Sequence, residues 1–254
     1  MDIASCPTIK VAAAGDLHCS ETREEEAHAV VAAIDRDADL VLLAGDLTTH
    51  GRPEQAAVCA RACAAEAPGP VVAVLGNHDH HSARADEVTA ALEEGGITVL
   101  DRAATVVQVG GCEVGVAGAK GLVGGFHGSH LPDFGEPVMR AVYAECGEEV
   151  DGLRRALQEI AVCPLRLVLL HYAPVTDTLV GEAEGIWTFL GTDRLAAPIL
   201  EHEPDLVVHG HAHAGAFEGA IGTVPVHNVS LPVLGGAFHV FECQARAGAG
   251  TGVH

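Results

Sequence analysis

The stretch Lys10–Ser20, "KVAAAGDLHCS", runs from apolar residues straight into an aspartate and a histidine two positions apart, Asp16 and His18. A buried strand that ends this way delivers both polar groups where it emerges from the core. The same construction recurs four times along the chain. "LVLLAGD" ends in Asp46, "VVAVLGNHD" in Asn77, His78 and Asp79, "RLVLLH" in His171, and "DLVVHGHAH" in His209, His211 and His213. Taken singly, each has an ordinary reading as a turn or a helix cap. Five together are a different matter. Carboxylate, amide or imidazole stands at the carboxyl end of every one, the edge at which open α/β sheets bind ligands.

The apolar runs set the fold class. They recur at residues 9–14, 40–44, 71–75, 105–109, 114–117, 167–170 and 206–208, short and in several cases nearly continuous, as strands covered on both faces are. Helix-like segments at residues 22–36 and 53–66 separate the first three, and Pro53 suits a first helical turn. This βαβαβ order predicts parallel strands with right-handed crossovers.

Further on, candidates at residues 97–100, 105–109 and 112–117 follow one another through glycine and polar turns. Gly110–Gly111 predicts a hairpin there. Residues 223–229 and 237–242 also read as strands, with no helix between them. No linker or repeat divides the chain. The expectation is one mixed α/β (α+β) domain over residues 1–254, with a two-sheet core at 9–242.

Bulk composition works by exclusion. The formal net charge is −21, and only 14 residues are lysine or arginine, too few for long nucleic acid or an anionic membrane as partner. Bound metal ions alone would reverse that field locally. No apolar run reaches the ~20 residues of a spanning helix. The opening "MDIASCPTIK" lacks a basic segment followed by an apolar one, so no signal peptide is expected. Eight cysteines fit no zinc pattern, Cys59 and Cys63 being four apart on a helix, and they read as buried thiols in a reducing cytoplasm. Cys19 is read as packing.

Aspartate, histidine and asparagine without cysteine point to divalent cations such as Mn, Fe, Zn, Ni or Co. Seven or so such ligands exceed what one ion with open positions needs, and suit two ions about 3.5–4 Å apart. Asp46, central among the motifs, is the natural bridging carboxylate.

The ordered set "GDLH … GDLTTHG … GNHD … H … GHAH", over residues 15–213, resembles the calcineurin-like metallophosphoesterases. That resemblance implies a four-layer α/β/β/α sandwich of two mixed sheets flanked by helices. It implies one metal on Asp16, His18, Asp46 and His213, and a second on Asp46, Asn77, His171 and His211. His78 would lie beside the scissile phosphate, with Asp79 orienting its ring, and His209 would be left to packing or support. The activity implied is hydrolysis of a small phosphoester, foremost a phosphodiester, by water activated between the two ions. A monoesterase or nucleotide pyrophosphatase, and a scaffold without activity, are the rival readings.

Substrate choice belongs to the surrounding loops. The candidates are His50, His80, His81, and the stretches 118–137 and 172–192, the latter with Trp187, which packs its loop or stacks on a base. Arg52 and Arg84 are taken as the arginines nearest the motifs.

Overall fold

The βαβαβ unit expected at the start of the chain is present in the computed structural model, which describes residues 7–246. Residues 1–6, on which the signal-peptide expectation and Cys6 fall, lie outside the described residues. The first unit comprises β1 (Thr8–Ala14), α1 (Glu24–Ala32), β2 (Leu40–Ala44), α2 (Pro53–Glu66), β3 (Val71–Val74), α3 (Ala85–Glu94) and β4 (Ile97–Leu100). Next come β5 (Ala103–Val109), β6 (Cys112–Ala119), α4 (Pro137–Glu159), β7 (Leu165–Leu170), α5 (Trp187–Leu190) and α6 (Ala196–His202). The chain continues through β8 (Leu206–His209), β9 (Glu218–Ile221), β10 (Val224–Asn228), α7 (Leu231–Leu234) and β11 (His239–Gln244).

Two mixed sheets result. One has the order β11-β1-β2-β3-β4, parallel except for β11. The other has the order β5-β6-β7-β8-β10-β9, parallel in its four inner strands and closed by antiparallel β5 and β9. Strand alternation assigns the layers. Ile9, Val11, Leu40, Leu42, Val72 and Val74 meet Val114, Val116, Leu165, Leu167, Leu169 and Val208 between the sheets. The alternate residues Ala12, Val41, Leu43 and Ala73 face α1, α2 and α3. Val168, Leu170 and Val207 face α4 and α6. The four-layer α/β/β/α architecture is therefore observed. β2 and β3 are apolar and buried on both faces for this reason.

Three expectations change. The strand at Ile97–Leu100 does not belong with the strands that follow it. It pairs parallel to β3 at the edge of the first sheet, and the chain passes to the second sheet in the two residues Asp101 and Arg102. A short helix, α7, does stand between the last two strands, with Pro232 in its first turn. The loop assigned to residues 118–137 gives way at Pro137 to the 23-residue α4, whose second half buries Val150, Leu153, Ala156 and Leu157. The hairpin at Gly110–Gly111 joins β5 to β6 as expected.

Among the described residues no helix is long and apolar enough to cross a membrane. Leu167 is fully buried between the sheets. Truncation to alanine leaves a cavity there, and Leu167→Ala is expected to lower unfolding free energy by about 3 kcal/mol in urea titrations.

Candidate metal centre

The strands β1, β2, β3, β7 and β8 run parallel within their sheets, and the polar residues following them converge. The convergence is built into the backbone. Beyond the strand ends, Asp16 N–H donates to Gly45 O, His18 N–H to Asp46 O and Cys19 N–H to Leu47 O, each at 2.9 Å. This zips the loop after β1 to the loop after β2. Gly15 N–H donates to Val229 O at 2.8 Å, tying the same loop to the other sheet.

Asp16, His18, Asp46 and His211 all have positive φ, from 45° to 70°, and make up four of the seven such non-glycine residues described. The left-handed region is costly for residues with a Cβ, so its concentration here marks a site whose geometry the surroundings impose. Neighbouring glycines are demanded by close approach. A Cβ on Gly76 would collide with the Asp46 carboxylate, and one on Gly210 would lie 2.6 Å from Asp16 Oδ2.

Three clusters of potential ligand atoms form: Asp16, His18 and His213; Asp46, His171 and His211; and His18, Asp46 and His78. His213 Nε2 lies 2.9 Å from Asp16 Oδ1, and the His211 N–H donates to Asp16 Oδ2 at 3.0 Å. Asp46 Oδ1 accepts the His78 N–H at 2.8 Å and lies 3.4 Å from His171 Nε2, while its Oδ2 is 4.0 Å from both His18 Nε2 and His78 Nε2. Asn77 Oδ1 is 2.9 Å from His171 Nε2. All seven expected ligands thus share one locus, with Asp46 between the two groups.

Burial favours the neutral form of Asp16, but its bond to His213, the His171 and His213 charges and the His211 N–H outweigh that and bring its pKa to about 2. His18 is shifted down by burial, against Asp46 and Asp16. Burial, then the charge of His171, takes His211 down to about 3. His213 moves up because Asp16 accepts its hydrogen bond. His18 and His211 are thus held toward the neutral form in which imidazoles ligate metals.

The donor set fits cations on a second ground. The Ala44 carbonyl, 2.9 Å from His171 Nδ1, fixes the proton on that nitrogen. His171 Nε2 then faces two oxygens, Asn77 Oδ1 and Asp46 Oδ1, an arrangement that suits a cation shared among the three. Among the described residues, the ion-pair partners of Asp16 and Asp46 are all imidazoles, never lysine or arginine.

Asp79 is placed differently from expectation. Asp79 does not touch the His78 ring. Its carboxylate, fully buried, accepts from Leu47 N–H, Thr48 N–H, Thr48 Oγ1–H and Gly76 N–H at 2.6–3.1 Å, clamping the loops after β2 and β3 together. The carbonyl of Thr49, 2.8 Å from Nδ1, orients the His78 ring instead. His209 is buried, its Nδ1 against Gly210 O and its Nε2 against Thr178 Oγ1, both at 2.8 Å, and it joins no ligand cluster.

An open cleft of about 520 Å³ lies over the first cluster, lined by Asp16, His18, Thr49, His78 and Arg23 and walled by Leu231, Pro232 and Gly236. Sequence reading named neither Thr49 nor Arg23. The former lies inside the quoted "GDLTTHG", and the latter only five positions after His18. Arg52 and Arg84 pair instead with Glu21 and Glu87. His50, His80 and His81 are exposed and join no cluster. Trp187 packs against Phe126, Leu179 and Leu190, the packing alternative.

A buried carboxylate and imidazole centre at the carboxyl edges of an α/β/β/α sandwich defines a class of metal-dependent hydrolase. The sequence pattern of the calcineurin-like phosphoesterase family matches residues 9–215, and the chain belongs to that family, whose members hydrolyse phosphoesters. No curated protein sequence matches it significantly. Among solved structures, phosphopantetheinyl hydrolase (PptH) of Mycobacterium tuberculosis is similar, at TM-score 0.64 and 17% identity, over 90% of each chain. TT1561 of Thermus thermophilus is similar at TM-score 0.55 and 18% identity, over 93% of this chain and 99% of that one. A putative 5'-nucleotidase of Staphylococcus aureus gives TM-score 0.52 and 16% identity, over 95% of this chain and 54% of its own. These likenesses establish the fold.

Gly76→Ala is expected to displace the Asp46 carboxylate while sparing the inter-sheet core. Titration calorimetry with Mn should then show affinity lost at one or both sites, with far-UV circular dichroism unchanged.

Proposed function

We propose that this chain, acting as a single domain, is a dinuclear metal-dependent hydrolase of small phosphodiesters. The observation that carries the reading is the pair of clusters, Asp16–His18–His213 and Asp46–His171–His211, with the Asp46 carboxylate between them. One ion would be held by Asp16, His18, Asp46 and His213, the other by Asp46, Asn77, His171 and His211. The donor chemistry suits Mn, Fe, Zn, Ni or Co. When bound, two such ions polarise phosphate oxygens and lower the pKa of water so that it can attack phosphorus near neutral pH.

The chain's own groups do the rest. His78, half-exposed in the cleft, has Nδ1 committed to the Thr49 carbonyl, so Nε2 is the atom that carries a proton to or from the leaving oxygen. Its backbone N–H steadies Asp46. Asp79 is a positioning residue: it holds Gly76, Leu47 and Thr48 so that Asn77 and His78 face Asp46. The free thiols among the described residues support a reducing, cytoplasmic setting.

The test is hydrolysis of bis-p-nitrophenyl phosphate by metal-stripped protein with Mn restored, alongside the bound-metal stoichiometry. Two ions per chain and metal-dependent turnover are expected. His78→Ala should keep both ions and lose about 10²–10⁴-fold in kcat. Asp79→Ala, which unfastens two loops, should lose ions as well. Full activity in His78→Ala, or one ion per chain, would contradict the assignment.

A further inference from the structure

Among the described residues that line the cleft, Arg23 is the one permanently charged cation. Its backbone is fixed: Arg23 N–H donates to Ser20 O at 3.1 Å, and Arg23 O accepts from Ala27 N–H at 3.2 Å. Its guanidinium is not. The contacts are Nη2 to the His18 carbonyl at 3.4 Å and Nη1 to Glu26 Oε2 at 3.5 Å, both at the limit of a hydrogen bond, and the side chain is half-exposed. By contrast Arg61, Arg84 and Arg154 meet carboxylates at 2.6–2.8 Å. A guanidinium has five N–H donors in a planar fork that matches two phosphate oxygens. Most of the fork of Arg23 is unused.

Position narrows what it binds. The contact to His18 O keeps the guanidinium within one residue of the His18 imidazole. Asp16, His18, His78 and Arg23 line the same cleft, so a substrate whose scissile phosphorus sits over the first three has Arg23 beside it for a second anionic group. In a chain of net charge −21, a loosely held cation at that point attracts an anion where the remaining surface repels one. We infer that Arg23 is a specificity-determining residue for substrates bearing a second phosphate joined through oxygen to the scissile one, that is, pyrophosphate diesters. The inference rests on the hydrolase reading above and names the substrate class of that site.

The step balances as hydrolysis. Oxygen of water forms the new bond to phosphorus, the bridging P–O bond breaks, and its electron pair stays with the bridging oxygen, now part of a leaving phosphate. The proton from water passes to solvent. Arg23 neutralises the charge that develops on that leaving phosphate, where it gains most in the transition state. Glu26 competes for the same guanidinium, so an incoming phosphate must displace it.

The experiment compares a dinucleoside pyrophosphate with bis-p-nitrophenyl phosphate, whose only charge is on the scissile group, in wild type, Arg23→Gln, Arg23→Lys and Glu26→Gln. Arg23→Gln is expected to raise KM for the pyrophosphate on the order of tenfold more than KM for the nitrophenyl diester. Arg23→Lys should recover part of that difference, and Glu26→Gln should lower KM for the pyrophosphate selectively. Equal changes on both substrates, or wild type turning over the nitrophenyl diester but not the pyrophosphate, would overturn the inference. Turnover of neither would count against the hydrolase reading itself. Calorimetric binding of a methylenebisphosphonate diester, weaker in Arg23→Gln than in wild type, then decides Arg23 separately, and equal binding rejects it.

Discussion

The organising constraint of this molecule is a pair of carboxylates, Asp16 and Asp46, set into the interior where, among the described residues, their ion-pair partners are all imidazoles. Buried charge is tolerated when it is paired or when it coordinates a cation. The imidazoles supply that counter-charge only in part: Asp16 holds His213 toward its charged form, while burial drives His18 and His211 toward their neutral forms. The Ala44 carbonyl leaves His171 presenting its other nitrogen to oxygens. The left-handed backbone at Asp16, His18, Asp46 and His211, and the close approach that bars a side chain at Gly76 and Gly210, hold these groups in that unfavourable company. Such strain is sustained only where the rest of the fold fixes it.

The fixing comes from two sheets whose parallel inner strands end at one place. Their interior is aliphatic and fully buried, with side chains of Leu, Val and Ile interlocked between the sheets. That core tolerates little displacement, since packed interiors resist even small shifts. Loops that leave it start from fixed points. They are then joined to one another by the ladder from Gly15 to Thr49 and by the four donors around Asp79. Asp79 thus bears on both ends of the chemistry. It aligns the backbone that places Asp46 and the backbone that carries Asn77 and His78.

Much of this was legible in the sequence, because a strand buried on both faces leaves a continuous apolar run and a sharp polar end. β2 and α2 stand where that pattern puts them, and the polar residues after β1, β2, β3, β7 and β8 converge as it implies. What was not legible depends on packing. α3 buries only Val88 and Leu92, and the first half of α4 is mostly exposed, so neither shows a full apolar stripe. The sheet to which Ile97–Leu100 belongs is decided by its pairing with β3, which local sequence does not encode. The family resemblance implies that Asp79 orients the His78 ring, yet its carboxylate turns inward to backbone donors while Thr49, distant in sequence, meets the ring. Arg23 went unnoticed because it sits at the head of α1, outside every motif.

The separation between what was legible and what was not has a physical meaning for specificity. Residues whose type is dictated by the metal chemistry lie on strand ends and repeat a recognisable pattern. Residues that face the rest of a substrate lie on the walls of the cleft, on the head of α1 and on the segment from Leu231 to Gly236, where no strand period constrains them. The net charge of −21 sharpens the point. An acidic surface opposes every phosphoester at long range, so attraction must be local, from cations held by the carboxylates and from any guanidinium beside them. Local attraction falls off within about a Debye length, roughly 8 Å at physiological ionic strength. A compact anion gains all of it. An extended polyanion, whose further charges meet acidic surface, does not. The same electrostatics thus favour compact phosphoesters over extended ones.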